Sequence, residues 1–335
     1  MRLAFKILSW ALLTFPAGCY PAFVFQMDGL EPAQITVTSS ISSLTVFTRI
    51  DLDSSYRASR IASAGKALFL LDSTAAKEGV LGCIDELLES PRFEVFDPII
   101  RKNLNGDFTN PDCPLPWIKI LEAAGEPPVD AALALESCQV RDTVVTVVQD
   151  GFKDYAFLLI LKTYWRLYDL SMNRYLDYPF IDTIKYDLWE VEELERSSPV
   201  SHYIILNGMY QIGKKTANRL APYWIPLDRA YFPYGPPDFF KASRSMREGQ
   251  WLEAATIWEQ YVESDNRCQA AKACYNMAVT CELAGQIELA LEWVAKAERK
   301  GMPDYYIDEY RSELKKREAK TQLLDSQMTG SQNLP

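Results

Sequence analysis

Two stretches of the chain share one pattern, and this pattern decides the fold of the C-terminal third. They are Gly249-Gln250-Trp251-Leu252-Glu253-Ala254 and Gly285-Gln286-Ile287-Glu288-Leu289-Ala290. The offset between them is 36 residues (285 − 249), and it also relates Ala242 to Ala278 and Trp258 to Val294. A glycine that ends one helix, with small residues where two helices meet, is typical of a helical hairpin. The repetition therefore predicts consecutive hairpins over residues 236–320.

The period resembles that of the tetratricopeptide repeat (TPR), which is about 34 residues long. Such repeats usually bind a partner in a groove lined by the first helix of each hairpin. In this register the groove positions are Phe239, Ser243, Met246, Arg247, Lys272, Tyr275, Val279 and Glu282. The candidate partner contacts among them are Phe239, Arg247, Lys272, Tyr275 and Glu282. The alternative is that two repeats form no groove and these side chains face solvent or another domain.

Two repeats bury too little surface to be stable without a neighbour. We therefore predict a capping helix over residues 303–320, followed by a disordered tail over 321–335. Cys274 and Cys281 lie seven residues apart on one helical face, so we predict that they are buried free thiols. The alternative is that the six cysteines other than Cys19 form disulfides in an oxidising compartment.

The N-terminus has the pattern of an export signal that ends in a lipid-attachment site. Arg2 and Lys6 precede an apolar stretch at 7–15, which is shorter than the roughly 20 residues that span a bilayer. Pro16-Ala17-Gly18-Cys19 then resembles a bacterial lipobox, although Pro16 replaces the usual leucine. The sequence predicts a signal peptide over 1–19, diacylglycerol on Cys19 and a tether over 20–34. A cleaved secretory signal and an uncleaved anchor are the alternatives.

The region between these two ends, residues 35–235, predicts a mixed α/β domain. Alternating or β-branched runs indicate strands at 35–38, 44–48, 92–96, 143–148, 155–168 and 175–186. Helical periodicity indicates helices at 75–89, 117–124, 129–135, 187–195 and 201–220. The sequence thus predicts an α+β protein, in which this sheet domain precedes all-α TPR-like hairpins.

Composition excludes several classes of partner and site. With 48% hydrophobic and 24% charged residues, the chain is not disordered as a whole. A formal net charge of −10 disfavours nucleic acid or anionic lipid as the main partner. A single histidine, His202, and the lack of a CxxC pair argue against a zinc site, so we predict no metal and no cofactor.

Gly208-Met209-Tyr210-Gln211-Ile212-Gly213-Lys214-Lys215-Thr216 nearly satisfies the P-loop pattern. However, Lys215 stands where a serine or threonine must bind magnesium, so the stretch is interpreted as part of an amphipathic helix and not as a nucleotide site. Asp51 and Asp53 are interpreted as a turn that ends a strand. No G-x-S-x-G elbow accompanies His202, and we predict no enzymatic activity.

An aromatic cluster follows the predicted helix at 201–220. It consists of Tyr223, Trp224, Tyr231, Phe232 and Tyr234. We interpret it as an interface between the two domains, and a site for a sugar or a peptide is the alternative.

Several motifs together resemble a family of Bacteroidales lipoproteins of unknown function with a TPR-like C-terminus. They are the export signal, Leu30-Glu31-Pro32-Ala33, Ser90-Pro91-Arg92-Phe93, residues 165–169, Arg219-Leu220-Ala221-Pro222-Tyr223-Trp224 and the Gly-Gln-Trp repeat. Residues 90–93 are also similar to the N-terminal α/β modules of other envelope proteins, such as the curli-secretion lipoprotein. Neither resemblance implies an activity or catalytic residues.

These observations predict a non-enzymatic lipoprotein of the bacterial envelope, anchored in the outer membrane and facing the periplasm. It would bind a protein partner or act as a scaffold there. The alternatives are a carboxylate-dependent periplasmic hydrolase and a structural subunit of an envelope assembly.

Overall fold

A computed structural model describes residues 22–50, 61–63, 66–70, 73–96, 112–125, 129–149, 152–187 and 200–328. The strands are β1 (Phe23–Glu31), β2 (Ser43–Thr48), β3 (Ile61–Ser63), β4 (Lys66–Leu70), β5 (Glu94–Val95), β6 (Ala131–Gln149), β7 (Phe152–Asp169), β8 (Arg174–Asp187) and β9 (Tyr223–Tyr231). The helices are α1 (Ser73–Glu89), α2 (Trp117–Ala124), α3 (Val200–Leu220), α4 (Pro237–Arg247), α5 (Trp251–Glu259), α6 (Arg267–Leu283), α7 (Ile287–Arg299) and α8 (Asp304–Met328). Cys19, Asp51, Asp53 and the acidic stretch at 188–195 lie outside the described residues.

The predicted α+β class is confirmed, and the chain divides into two units. The sheet unit contains residues 30–225 together with those from 322 onward. The helical unit contains residues 226–321 together with those up to 29. Across the described residues, each helix is too short or too polar to span a bilayer.

The sheet unit is built on three long antiparallel strands, β6, β7 and β8. The first part of β6 also pairs in parallel with β2, and its middle pairs antiparallel with β4. Leu135, Leu161 and Trp165 point from β6 and β7 into the main core. Helices α1 and α3 cover this core with apolar side chains such as Val80 and Ile212.

Two helices of the sheet unit cross at glycines. A methyl group on Gly213 of α3 would lie 2.0 Å from the carbonyl oxygen of Gly79, and one on Gly82 of α1 would lie 2.0 Å from that of Tyr210. Real Cβ atoms do not approach a backbone atom so closely, so only glycine allows α1 and α3 to pack at this distance.

We therefore expect Gly213→Ala to destabilise the protein by about 2 kcal/mol. Alanine favours a helix over glycine by about 1 kcal/mol. Here the clash is with backbone, so α1 and α3 must separate, and overpacking of this kind costs roughly 1–3 kcal/mol or more. Urea unfolding monitored by tryptophan fluorescence measures the change. Gln211→Ala, at an exposed position of the same helix, should change stability little. An unchanged or raised stability in Gly213→Ala would contradict the crossing.

The helical unit confirms the 36-residue repeat in its geometry. Gly249 and Gly285 both end a helix at φ +74°, a left-handed conformation that favours glycine. Ala254 and Ala290 are both fully buried, as are Trp258 and Val294. The helix pairs α4–α5 and α6–α7 are the two hairpins, and α8 follows as the predicted third element. Helix α6 is buried on all sides from 270 to 282.

Four local predictions are wrong. Residues 131–135 belong to β6 and not to a helix. This alanine- and leucine-rich segment pairs with β2 along one edge and β7 along the other, and its side chains are buried on both faces of the sheet. Residues 35–38 are not a strand, and the N–H of Ile35 donates to the carbonyl of Arg219. The predicted tether at 20–34 contains β1, which pairs with β9. The predicted tail is helical as far as Met328.

The last helix contributes a buried amide to the sheet unit. The Gln327 side chain accepts a hydrogen bond from the N–H of Ala33 at 2.9 Å and donates one to its carbonyl at 3.0 Å. It thereby satisfies both backbone groups of Ala33, as a neighbouring strand would.

Candidate interaction surfaces

Residues 229–234 of the same chain lie against the predicted groove positions. Asn276 of α6 accepts a hydrogen bond from the N–H of Phe232 at 2.8 Å, and its amide donates to the Phe232 carbonyl at 2.9 Å. Both residues are fully buried, so the amide replaces the water that the Phe232 backbone loses on folding. The helical unit therefore holds an extended segment of its own chain by backbone hydrogen bonds.

Aromatic rings hold the side chain of the same residue. The ring of Phe232 packs edge-on against Tyr275 of α6 and Tyr306 of α8, with centroid distances of 5.1 Å and 5.0 Å. Tyr275 in turn packs against Tyr310 at 5.1 Å. Edge-to-face pairs at these distances add stability beyond the burial of apolar area.

Glu282 holds the start of the segment by charge. Its carboxylate accepts two hydrogen bonds from the Arg229 guanidinium, at 2.8 Å and 2.9 Å, and one from the Tyr310 hydroxyl at 2.9 Å. Arg317 also donates to it. Burial opposes the charge on Glu282, but the hydrogen bonds and positive charges of Arg229 and Arg317 keep its pKa below the ordinary value. The charge of this buried carboxylate is thus fully compensated.

The structure brings most of the predicted groove residues together, but it buries them. Phe239, Lys272, Tyr275 and Glu282 are buried, and Arg247 is exposed. The Lys272 ammonium donates to the carbonyl of Tyr234 at 3.2 Å, at the end of the bound segment. The face predicted to receive a partner is therefore occupied by residues 229–234.

We expect Asn276→Ala to destabilise the helical unit by about 2–4 kcal/mol, because each buried backbone group left without a partner costs about 1–3 kcal/mol. Hydrogen exchange should show faster exchange at the Phe232 amide, and urea unfolding should measure the loss of stability. Gln286→Ala truncates an exposed amide and is the matched control. Unchanged exchange at Phe232 would contradict the assigned pairing.

The protein should also lose stability in acid through Glu282. Because its folded pKa lies below the ordinary 4.5, its contribution is present above that pH and is lost as pH falls through the folded value. Urea unfolding between pH 7 and pH 3 measures this slope. Glu282→Gln should be less stable at neutral pH and should show a shallower decline below pH 4.5. Glu288→Gln, on an exposed position of α7, should keep the wild-type slope; an identical slope in Glu282→Gln would contradict the assignment.

The P-loop-like stretch lies inside α3, as interpreted from the sequence. Its second glycine, Gly213, is used in the contact with α1. The two lysines form ion pairs, Lys214 with Glu86 at 2.8 Å and Lys215 with Asp182 at 2.7 Å. These residues thus hold α3 against α1 and β8. The side chain of His202 lies outside the described residues.

Three carboxylates of the sheet unit have pKa values below the ordinary one, although burial opposes their charge. Asp182 is paired with Arg219 and Lys215, Asp130 accepts hydrogen bonds from Ser42 and Ser43, and Asp169 accepts them from Ser171, Met172 and Arg174. Since a general acid needs a raised pKa, these groups suit structural ion pairs and turns. Among the residues that the structure covers, no cluster of histidine, cysteine and carboxylate side chains could hold a metal ion.

Another buried charge network lies at the irregularity of β6. Glu136 is fully buried beside this register shift. It pairs with Arg49 at 2.7 Å and accepts a hydrogen bond from the Tyr168 hydroxyl at 2.6 Å. Arg166 lies 3.5 Å from the same carboxylate and also binds Asp177. The two arginines and the two carboxylates carry equal and opposite charge, so the charges of the network balance.

Exposed apolar side chains collect on one face of the β6–β7 hairpin near its tip. Val144 pairs with Phe157, and Thr146 pairs with Tyr155, so Val144, Val148 and Tyr155 share this face. All three are exposed. We call these three residues the hairpin patch. Contiguous exposed apolar side chains of this kind mark interaction sites.

The other sequence predictions are placed as follows. Tyr231 and Phe232 of the aromatic cluster lie in the core of the helical unit, while Trp224 and Tyr234 are exposed. Cys274 and Cys281 are buried free thiols, as predicted. Sequence reasoning missed Asn276, although an amide in a helix otherwise lined by small and apolar residues is a signal for a buried hydrogen-bonding role.

Residues 48–232, more than half of the chain, match a protein family described as Domain of unknown function (DUF8603). The chain belongs to the DUF8603 family. In this DUF8603 protein, residues 240–317 are also similar to a second family, Domain of unknown function (DUF6340). No curated protein and no solved structure matches the chain.

Proposed function

We propose that this protein is a non-enzymatic lipoprotein of the bacterial envelope that binds a protein partner in the periplasm. The observation that carries the proposal is the apolar stretch at 7–15 followed by Pro16-Ala17-Gly18-Cys19. β1 starts at Phe23, so folded chain begins four residues after the proposed lipid. The resemblance to Bacteroidales lipoproteins supports the same location.

The partner, in this proposal, binds to the hairpin patch and not to the groove of the helical unit. Residues 229–234 already occupy the groove, and their displacement would remove Arg229 from the buried Glu282, which would keep only Arg317 and the Tyr310 hydroxyl as partners. Removing one partner of such a pair typically costs about 3–5 kcal/mol. The side chains of Val144, Val148 and Tyr155, in contrast, are exposed.

The lowered pKa values favour a binding role over hydrolysis by carboxylates. Asp130, Asp169, Asp182 and Glu282 are each kept charged by hydrogen bonds or cations. A carboxylate that must donate a proton near neutral pH needs the opposite shift.

Two linked measurements test the proposal. Mass spectrometry of protein from the native membrane should find the leader removed and Cys19 acylated, and Cys19→Ser should leave the membrane fraction. A photo-crosslinking amino acid at Val148 or Tyr155 should then capture one partner in cells, whereas the same probe at Leu252 should not. Leu252 is the matched control because it is 80% exposed and lies in the helical unit.

An unmodified Cys19 in a soluble fraction would refute the anchor. Crosslinks at Val148 that join two copies of this chain would favour a structural subunit of an assembly instead. Equal capture from Val148 and Leu252 would refute the hairpin patch as a specific site.

A further inference from the structure

Four exposed apolar side chains lie close to where the chain leaves toward Cys19. At the start of β1, Phe23 is 45% exposed, and Val24, on the opposite side of the strand, is 59% exposed. Tyr234 is 49% exposed and Phe240 of α4 is 56% exposed. We call these four residues and the cations beside them on α4 the β1–α4 patch.

Ring contacts connect the members of this patch. Phe23 packs edge-on against Tyr231 at 5.6 Å, and Tyr234 packs edge-on against Phe240 at 5.7 Å. Residues 231–234 therefore connect the start of β1 with Phe240 of α4 in the helical unit. Arg247 stands seven residues after Phe240 on the same exposed side of that helix.

The charge of this surface differs from that of the whole chain. Phe240, Arg244 and Arg247 follow one another at helical spacing on the exposed side of α4, with Lys241 next to them. Asp238, the acidic residue of the first turn, is bound by Lys241 at 2.7 Å and by the Tyr261 hydroxyl at 2.9 Å. Together with the exposed Glu248 that follows Arg247, residues 238–248 carry three positive and two negative charges, so the local excess is one positive charge (3 − 2) although the net charge of the chain is −10. Exposed charges beyond about 10 Å are largely screened, so the local sign governs a contact.

The acidic residues of β1 lie farther along the strand. Asp28 is five residues after Phe23, which corresponds to about 17 Å along an extended strand. Asp228 of β9 lies opposite the middle of β1, where its carboxylate is 3.5 Å from the amide of Gln26, three residues or about 10 Å after Phe23. β1 is therefore apolar next to Cys19 and acidic away from it.

The length of chain before β1 limits what the patch can contact. Phe23 comes four residues after Cys19, and four residue steps of fully extended chain span at most about 14 Å. A lipid on Cys19 would thus hold the start of β1 within the headgroup region or just above it. Aromatic rings prefer this interface, and arginine and lysine bind anionic headgroups there.

We propose that the β1–α4 patch lies on the bilayer, with its aromatic rings at the interface and Arg244 and Arg247 on anionic headgroups. This inference rests on the proposed lipid anchor. In this arrangement the helical unit contacts the membrane directly, and no long tether separates it from the lipid on Cys19.

The test uses the full lipidated protein in vesicles of phosphatidylethanolamine and phosphatidylglycerol. An environment-sensitive dye is attached at Phe240→Cys or Val24→Cys, with Leu252→Cys as the control. Cys113 and Cys268, the exposed thiols among the described cysteines, are replaced by serine. Flotation with the vesicles first establishes that each protein is anchored.

The dyes at positions 240 and 24 should shift their emission to the blue, and lipids that carry a nitroxide near the headgroup should quench them several-fold more than the dye at 252. Arg244→Glu should reduce the quenching at position 240, and so should vesicles that contain only phosphatidylcholine. These changes follow if the arginines bind anionic headgroups.

Equal quenching at 240 and 252 in protein that floats would overturn this inference while leaving the anchor intact. Protein that does not float and has an unmodified Cys19 would refute the anchor and this inference together. A dye at 240 that is shielded from aqueous iodide but not quenched by lipid would show that a protein molecule covers the patch, and it would also overturn the inference.

Discussion

A buried peptide group needs hydrogen-bond partners, and Asn276 supplies both for Phe232. This pairing lets an extended segment run through the interior of the helical unit, where helices alone would leave its backbone unsatisfied. Glu282 and the rings of Tyr275 and Tyr306 then hold the side chains of the same segment. Helix α8 follows the second hairpin, where a further repeat would stand in a longer array, while residues 229–234 fill the groove.

The sequence predicts those parts of the fold in which local pattern and tertiary packing agree. The repeat at Gly249 and Gly285, the helix α3, the strands β7 and β8 and the last part of β6 are such parts. Residues 131–135 are not, because alanine and leucine favour a helix locally while their burial on both faces requires a strand. The residues predicted to line the groove lie on α4 and α6. The sequence could not identify residues 229–234 as the occupant, since contacts between distant segments leave no periodic signal.

The P-loop-like stretch contains glycine because two helices pack closely there, and not because it binds phosphate. A phosphate loop needs glycine so that backbone N–H groups can approach an anion. In α3 the same residue type at Gly213 allows another helix to approach, and the lysines that follow bind Glu86 and Asp182. Lys215 distinguishes the two requirements, because a lysine can form an ion pair with Asp182 but cannot coordinate magnesium as a serine or threonine does.

The pairing of Gln327 with Ala33 joins residues that are 294 positions apart. Strand β1 likewise cannot pair until β9 has been synthesised, and β9 lies about two-thirds of the way along the chain. Neither unit can complete its native hydrogen bonds on the ribosome until most of the polypeptide has been synthesised, and long-range contacts of this kind form slowly.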